Sequence, residues 1–227
     1  MPSPSDRPAS AAAEDYLKAV WSLEKDGGVV VTTTALAERL GVIPSSVSGM
    51  VRKLAESGLV VHDPYRSVGL TDAGRRVAVD VVRRHRLLEL FLTRELDVPW
   101  DEVHAEAEVL EHALSPRLVD RISAKLGHPT RDPHGDPIPA ADGSVADDDT
   151  VALSSLDRGA CGVIVRVSDS DPRMLRYLSD HGIALGDRVE VLERAPFDGP
   201  LTVRVGPTEL AVGGSLATAI RVAVDSG

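Results

Sequence analysis

With one cysteine, Cys161, the chain has no intrachain disulfide framework and no CxxC-type zinc site. Aromatic residues make up 3% of it, so its cores have to be built from Val, Leu, Ala and Ile. No apolar run approaches the roughly 20 residues of a membrane span. The opening MPSPSDRPAS has no apolar segment of the signal-peptide kind. Residues 1–10 are expected to be a disordered leader, and the chain to work in a reducing cytoplasm without a membrane partner. Catalytic signatures are missing as well: there is no GxSxG, P-loop or GxGxxG segment. His104-Ala105-Glu106 matches the start of a zinc-deaminase signature, but the PCxxC that chemistry needs is absent, as is the HExxH of a zincin. An enzyme is not expected.

What is present is an ordinary globular composition, 43% hydrophobic and 26% charged, long enough at 227 residues for two or three small domains. The net charge of −10 disfavours nucleic-acid binding in bulk, but binding depends on a local patch. Between Thr33 and Arg86 there are nine basic residues against five acidic ones, whereas Arg131 to Arg158 carries seven aspartates against two arginines. The charge is segregated along the chain.

The spacing of Tyr16, Leu17, Val20, Trp21 and Leu23 predicts a helix stopped by Gly27-Gly28. TTTALAERLGV reads as a short Thr-capped helix ending at Gly41, and PSSVSGMVRKLAESG as a third helix burying Val47, Val51 and Leu54. Two apolar runs around Asp63-Pro64 predict a hairpin, and Thr71 opens a long amphipathic helix. Helix, short helix, turn, helix, hairpin and long helix make a winged helix-turn-helix. WDEVHAEAEVLEHAL and SPRLVDRISAKLG are two further helices, and the proline-rich HPTRDPHGDPIP excludes regular structure. AADGSVADDDT is an acidic linker, after which period-two alternation in CGVIVRVSD, DRVEVLERA, LTVRVG and ATAIRVAV predicts a small β-barrel or sandwich with one helix, DPRMLRYLSDHG.

HAEAEVLEH, residues 104–112, concentrates imidazole and carboxylate groups. On a regular helix, Glu108, Glu111 and His112 fall within about 100° of His104, while Glu106 points away. His85 and Glu89 form a second pair one helical turn apart. Glu-rich solvated faces are common, but five of the seven histidines lie between His85 and His134, three of them on faces shared with a glutamate. Carboxylate oxygen mixed with imidazole nitrogen suits a divalent first-row metal.

The winged helix, the acid/His helix, HPTRDPHGDPIP, EDYLKAVWSLE and the C-terminal β segment together resemble the diphtheria-toxin-repressor family of bacterial iron- and manganese-dependent transcriptional regulators. The resemblance runs from about Ala13 to the end. It implies a mainly α fold with a β C-terminal domain: a winged helix-turn-helix at 11–76, a helical metal-binding and dimerisation domain at 77–140, a linker at 141–150 and an SH3-like barrel at 151–227. It implies a primary metal site of Asp15, Glu108, Glu111 and His112. A second site would use His85, Glu89 and His104, completed by Asp169 or, less well aligned, Asp171. Iron-responsive members tend to carry methionine and cysteine at the positions of Asp15 and Glu108; hard carboxylates there point to Mn(II), with Fe(II) as the rival effector. Two-domain manganese members with paired metal clusters have an extra acid where this chain has Lys18, so two separate sites are expected.

The expected partners are double-stranded operator DNA and a second copy of the chain. The recognition helix would be Ser45–Glu56, with Ser45, Ser46 and Ser48 facing the major groove, Thr34 on the preceding helix, Arg52 and Lys53 near phosphates and Arg66 in the wing. The competing readings are a metal-independent winged-helix regulator and a metal-dependent hydrolase or metal-storage module.

Overall fold

The computed structural model describes residues 10–25, 30–63, 67–146, 149–197 and 199–225. Most of the expected leader, the Gly27-Gly28 stop, Pro64, Tyr65 and Arg66 of the wing turn, and Asp147-Asp148 of the linker lie outside the described residues. The chain divides into two compact units.

The first unit holds the residues up to His85 together with 111–113 and 139–144. Helix α1 (Ala11–Lys25) buries Tyr16, Leu17, Val20 and Trp21, as their spacing dictates, with Leu23 half-buried. Helix α2 (Thr33–Leu40) is capped by Thr32, whose hydroxyl accepts the Ala35 N–H at 3.1 Å. It ends at Gly41, which takes the left-handed backbone (φ +64°) that a side chain would oppose. Helix α3 (Pro44–Glu56) turns Val47, Val51 and Leu54 inward. Strands β1 (Val60–Asp63) and β2 (Ser67–Leu70) pair antiparallel, Val60 opposite Leu70 and Asp63 opposite Ser67. Glu24 ties α1 to this hairpin: one oxygen accepts the Leu70 N–H at 3.2 Å and the other pairs with Arg75 at 2.7 Å. Thr71 caps helix α4 (Asp72–Leu96) by accepting the Gly74 N–H. Leu17, Leu36, Val47, Val51, Ala78 and Val81 are fully buried, each of the larger ones contributing about 1.5–3 kcal/mol of burial free energy.

The second unit begins at Arg86, within α4. Here α4, α5 (Val103–Leu110) and α6 (Pro116–Lys125) enclose Leu87, Leu88, Leu90, Ala107, Val119, Ile122 and Ile138. Ser115 caps α6. The proline-rich segment is irregular as expected, with a single bridge between Arg131 and Pro137. The β part runs β3 (Val151–Ala152), β4 (Cys161–Val167), α7 (Pro172–Asp180), β5 (Arg188–Arg194), β6 (Leu201–Val205), β7 (Thr208–Val212), α8 (Gly214–Ala219) and β8 (Ile220–Val224). Its antiparallel six-stranded sheet has the order β3-β8-β4-β5-β6-β7. Register shifts at Ile164/Arg166 and Val191/Glu193 bend it around a core that includes Ile164, Val189, Val203, Ile220 and Val222. The fold is thus mainly α, a helix-turn-helix with its hairpin and a helical region, followed in sequence by a six-stranded β domain. Among the described residues no helix is long and apolar enough to cross a membrane.

Two expectations are corrected. ATAIRVAV is not all strand: Ala217, Thr218 and Ala219 complete α8, and the strand starts at Ile220. The HAEAEVLEH helix is shorter than its pattern, with α5 ending at Leu110 and Glu111–Ala113 tightening into a 3-10 turn before Ser115-Pro116 starts the next helix. A 3-10 turn advances about 120° per residue instead of about 100°, so the arc drawn for a regular helix does not hold for His112.

Candidate metal centre

In the first unit α1 supplies Asp15 and the 3-10 turn supplies Glu111 and His112. His112 Nε2 lies 2.9 Å from Asp15 Oδ1 and 3.5 Å from Glu111 Oε1, and one ligand atom from each of the three residues falls within 4.8 Å of the others. The ring is oriented from behind, because Nδ1 sits 2.7 Å from Glu14 Oε2 and donates to it. Arg84 in turn fixes Glu14 Oε1 at 3.0 Å and donates to the Glu111 carbonyl at 3.1 Å. A proton on Nδ1 leaves Nε2, the nitrogen that faces the two carboxylates, as the atom a metal ion would take.

Glu111 is completely buried. Burial alone would raise its pKa, but the hydrogen bond from His85 (2.6 Å) and the charge of Lys18 (2.9 and 3.0 Å to its two oxygens) outweigh that and lower it. Two carboxylate oxygens and one imidazole nitrogen fit a borderline or hard divalent cation.

The second unit gathers Glu89 from α4, His104 from α5 and Asp169 from the segment after β4. His104 Nδ1 is 2.9 Å from Asp169 Oδ2 and 3.2 Å from Glu89 Oε1, and its Nε2 is 3.6 Å from Glu108 Oε1. Burial opposes the imidazolium, yet the hydrogen bonds and charges of Asp169 and Glu89 hold the His104 pKa up at about 10. The protonated ring stands where a cation would be welcome. Asp171 is elsewhere: it caps α7 by accepting the Arg173 N–H at 3.0 Å and pairs with that arginine's side chain. His85 precedes Glu89 by one turn of α4, with Nδ1 engaged by Glu111.

A further group was missed from sequence. Glu89, Asp132 and His134 are all buried with ligand atoms within 4.8 Å of one another. His134 donates through Nε2 to the Trp100 carbonyl at 2.6 Å, leaving Nδ1 on the side of Glu89, 3.8 Å away. Burial, then neighbouring carboxylates, raise the pKa of Asp132; burial also raises that of Asp136, against the pull of Arg86. The signal was present as Asp-Pro-His within the proline-rich segment, but no helical or strand period linked it to Glu89. Glu14 and Arg84 were also missed; the only trace of Glu14 was its adjacency to Asp15.

On the helix-turn-helix, Ser45, Ser46, Ser48, Arg52 and Lys53 are exposed on α3, opposite its buried valines, and Thr34 is exposed on α2. The α3 N-cap is Ile43, so neither Ser45 nor Ser46 is used as the cap, while Ser48 donates to the Pro44 carbonyl at 3.1 Å. Arg66 lies outside the described residues.

Comparison with known proteins places these features. Residues 9–68 match the family described as "Iron dependent repressor, N-terminal DNA binding domain", 71–140 match "Iron dependent repressor, metal binding and dimerisation domain", and 151–224 match the FeoA domain. The iron-dependent repressor IdeR of Mycobacterium leprae is 33% identical over 222 residues, covering 92% of this chain and 95% of that protein. The diphtheria toxin repressor of Corynebacterium diphtheriae is 30% identical over 226 residues, covering 92% and 95%. A solved manganese-dependent transcriptional repressor in complex with manganese is 50% identical, with a TM-score of 0.89 over 94% of this chain and 100% of its own. The chain therefore belongs to the diphtheria-toxin-repressor family, whose members are metal-dependent, DNA-binding transcriptional repressors and not enzymes.

Proposed function

We propose that the protein is a manganese(II)-responsive repressor that binds a two-fold operator as a homodimer in the cytoplasm and controls metal-ion homeostasis genes. The observation that carries the choice of metal is Asp15 beside His112, which puts a carboxylate oxygen where iron-responsive members tend to carry methionine sulfur, with Glu111 adding a second oxygen. Hard oxygen donors favour Mn(II) over softer ions. The likeness to a manganese-dependent repressor at 50% identity supports the same reading, while the relatives named for iron keep Fe(II) as the rival.

In this reading Asp15, Glu111 and His112 are joined by Glu108 as primary ligands, and His85, Glu89, His104 and Asp169 form a second site. A bound divalent cation would supply the positive charge that lets the carboxylates of α1 and of the Glu111–His112 turn converge. The residues do the rest: Glu14 and Arg84 hold the imidazole, and Asp15 ties α1, part of the DNA-reading domain, to the turn. Fixing that domain sets the spacing of two recognition helices on successive half-sites. Ser45, Ser46 and Ser48 meet base edges with Thr34 nearby, and Arg52, Lys53 and the wing residue Arg66 meet phosphates or the minor groove. The coupling expected of such a switch is about 1–3 kcal/mol, a 5- to 150-fold change in operator affinity.

The test is operator binding by metal-free protein titrated with Mn(II) and, anaerobically, with Fe(II). Stimulation by Mn(II) at the lower free-ion concentration is expected. Stronger activation by Fe(II) overturns the choice of metal, and DNA binding indifferent to chelator overturns metal dependence altogether.

A further inference from the structure

Lys18 lies one helical turn after Asp15, so α1 presents a carboxylate and an ammonium toward the same region. Lys18 Nζ is 3.0 Å from Glu111 Oε1, 2.9 Å from Oε2 and 3.1 Å from His85 Nδ1. The Lys18 side chain retains 17% of its exposure and that of Glu111 none. A carboxylate taken fully out of water is costly unless a positive group and hydrogen bonds meet it. Here one ammonium reaches both oxygens, including the Oε1 that faces His112 Nε2 at 3.5 Å.

We propose that Lys18 sets the affinity of the Asp15–Glu111–His112 centre: its ammonium is the resident counter-ion of Glu111, and a divalent ion has to compete with it for that carboxylate. The inference rests on the metal-binding reading of this centre. An ion held by Asp15 and His112 meets Glu111 through an oxygen that Lys18 already engages, and its double charge then sits beside the single charge of the ammonium. Both effects weaken binding relative to the same ligands without the lysine. The lysine thereby keeps the buried acid compatible with the metal-free fold while raising the ion concentration at which the centre fills.

The test uses full-length, metal-free protein, with Mn(II) binding followed by the electron paramagnetic resonance signal of the free ion and thermal unfolding measured alongside. Lys18→Met should bind Mn(II) about tenfold or more tightly than wild type, melt at a lower temperature without metal and gain more from Mn(II). Lys18→Arg, which keeps the charge, should stay within a few-fold of wild type. Equal or weaker Mn(II) binding by Lys18→Met overturns the proposal. A Lys18→Met chain that stays unfolded at saturating Mn(II) overturns it too, because the divalent ion would then be unable to replace the ammonium. Asp15→Ala in the same titration separates the two levels. Loss of binding there with an unchanged Lys18→Met removes only the role of Lys18, and wild-type protein that binds no Mn(II) removes the centre itself.

Discussion

Two donor groups of similar chemistry are kept ready by opposite means. Around His112 cations stand beside carboxylates: Lys18 reaches Glu111, whose pKa is lowered, and Arg84 pairs with Glu14. Around His134 burial is deeper, with side-chain exposures of 1% for Glu89, 2% for Asp132 and 0% for His134. There burial raises the pKa values of Asp132 and Asp136, against the pull of Arg86. In the first group Asp15 keeps 37% of its side-chain exposure, so an ion can reach it from solvent and exchange. In the second an arriving ion would have to enter a closed interior.

The largest expected effect comes from breaking the first group at its exposed end. Asp15→Ala should leave the protein folded but remove the whole metal-dependent gain in operator affinity, about 5- to 150-fold, in a gel-shift titration with Mn(II). An unchanged Mn(II) dependence would sink the ligand assignment. Removing the support of His112 rather than a ligand should cost less: Glu14→Ala is expected to weaken Mn(II) affinity about 10- to 100-fold by calorimetry, with Glu14→Gln recovering part of it. His85→Ala should lower metal activation of DNA binding without abolishing it, and complete insensitivity would make that histidine purely structural.

The smallest effect is a pH dependence in the second unit. The His104 pKa is raised from 6.5 to about 10, so its contribution to stability is fully present below pH 6.5 and fades as pH rises through about 10. Thermal melts of the metal-free protein should therefore show a decline across that upper range, and His104→Gln should flatten it by a few degrees. Equal slopes in the two proteins would refute the ion-pair account of His104.

Much of this was readable in the residues. Leu17, Val20 and Trp21, or Val47, Val51 and Leu54, announce buried faces because local period and burial coincide there. Thr32, Thr71 and Ser115 announce helix starts because a cap is a three-residue event. Period alone did not split HAEAEVLEH, since a regular-helix arc grouped Glu108, Glu111 and His112 with His104; only the family resemblance separated Glu111 and His112, which lie beside Asp15, from His104, which lies with Glu89 and Asp169. Glu14 and Arg84 were illegible as site residues, and Lys18 was legible only as the place of a missing acid, because each acts across scores of residues of sequence, through side-chain reach rather than spacing. Asp132 and His134 were hidden by prolines that mark the segment as loop and say nothing of what it packs against.

Gly135, between His134 and Asp136, adopts φ +87° with its α-carbon pressed on β4: a β-carbon there would sit 2.0 Å from the Val165 carbonyl oxygen. The His134 carbonyl accepts the Val167 N–H at 2.9 Å just beyond. The proline-rich stretch is in effect an extra layer plated onto the barrel wall, not a tether leading to it. Cutting the gene before residue 151 would therefore not release a tidy two-domain regulator; it would strip the backing from a seam of acids and imidazole and leave a raw surface prone to precipitation.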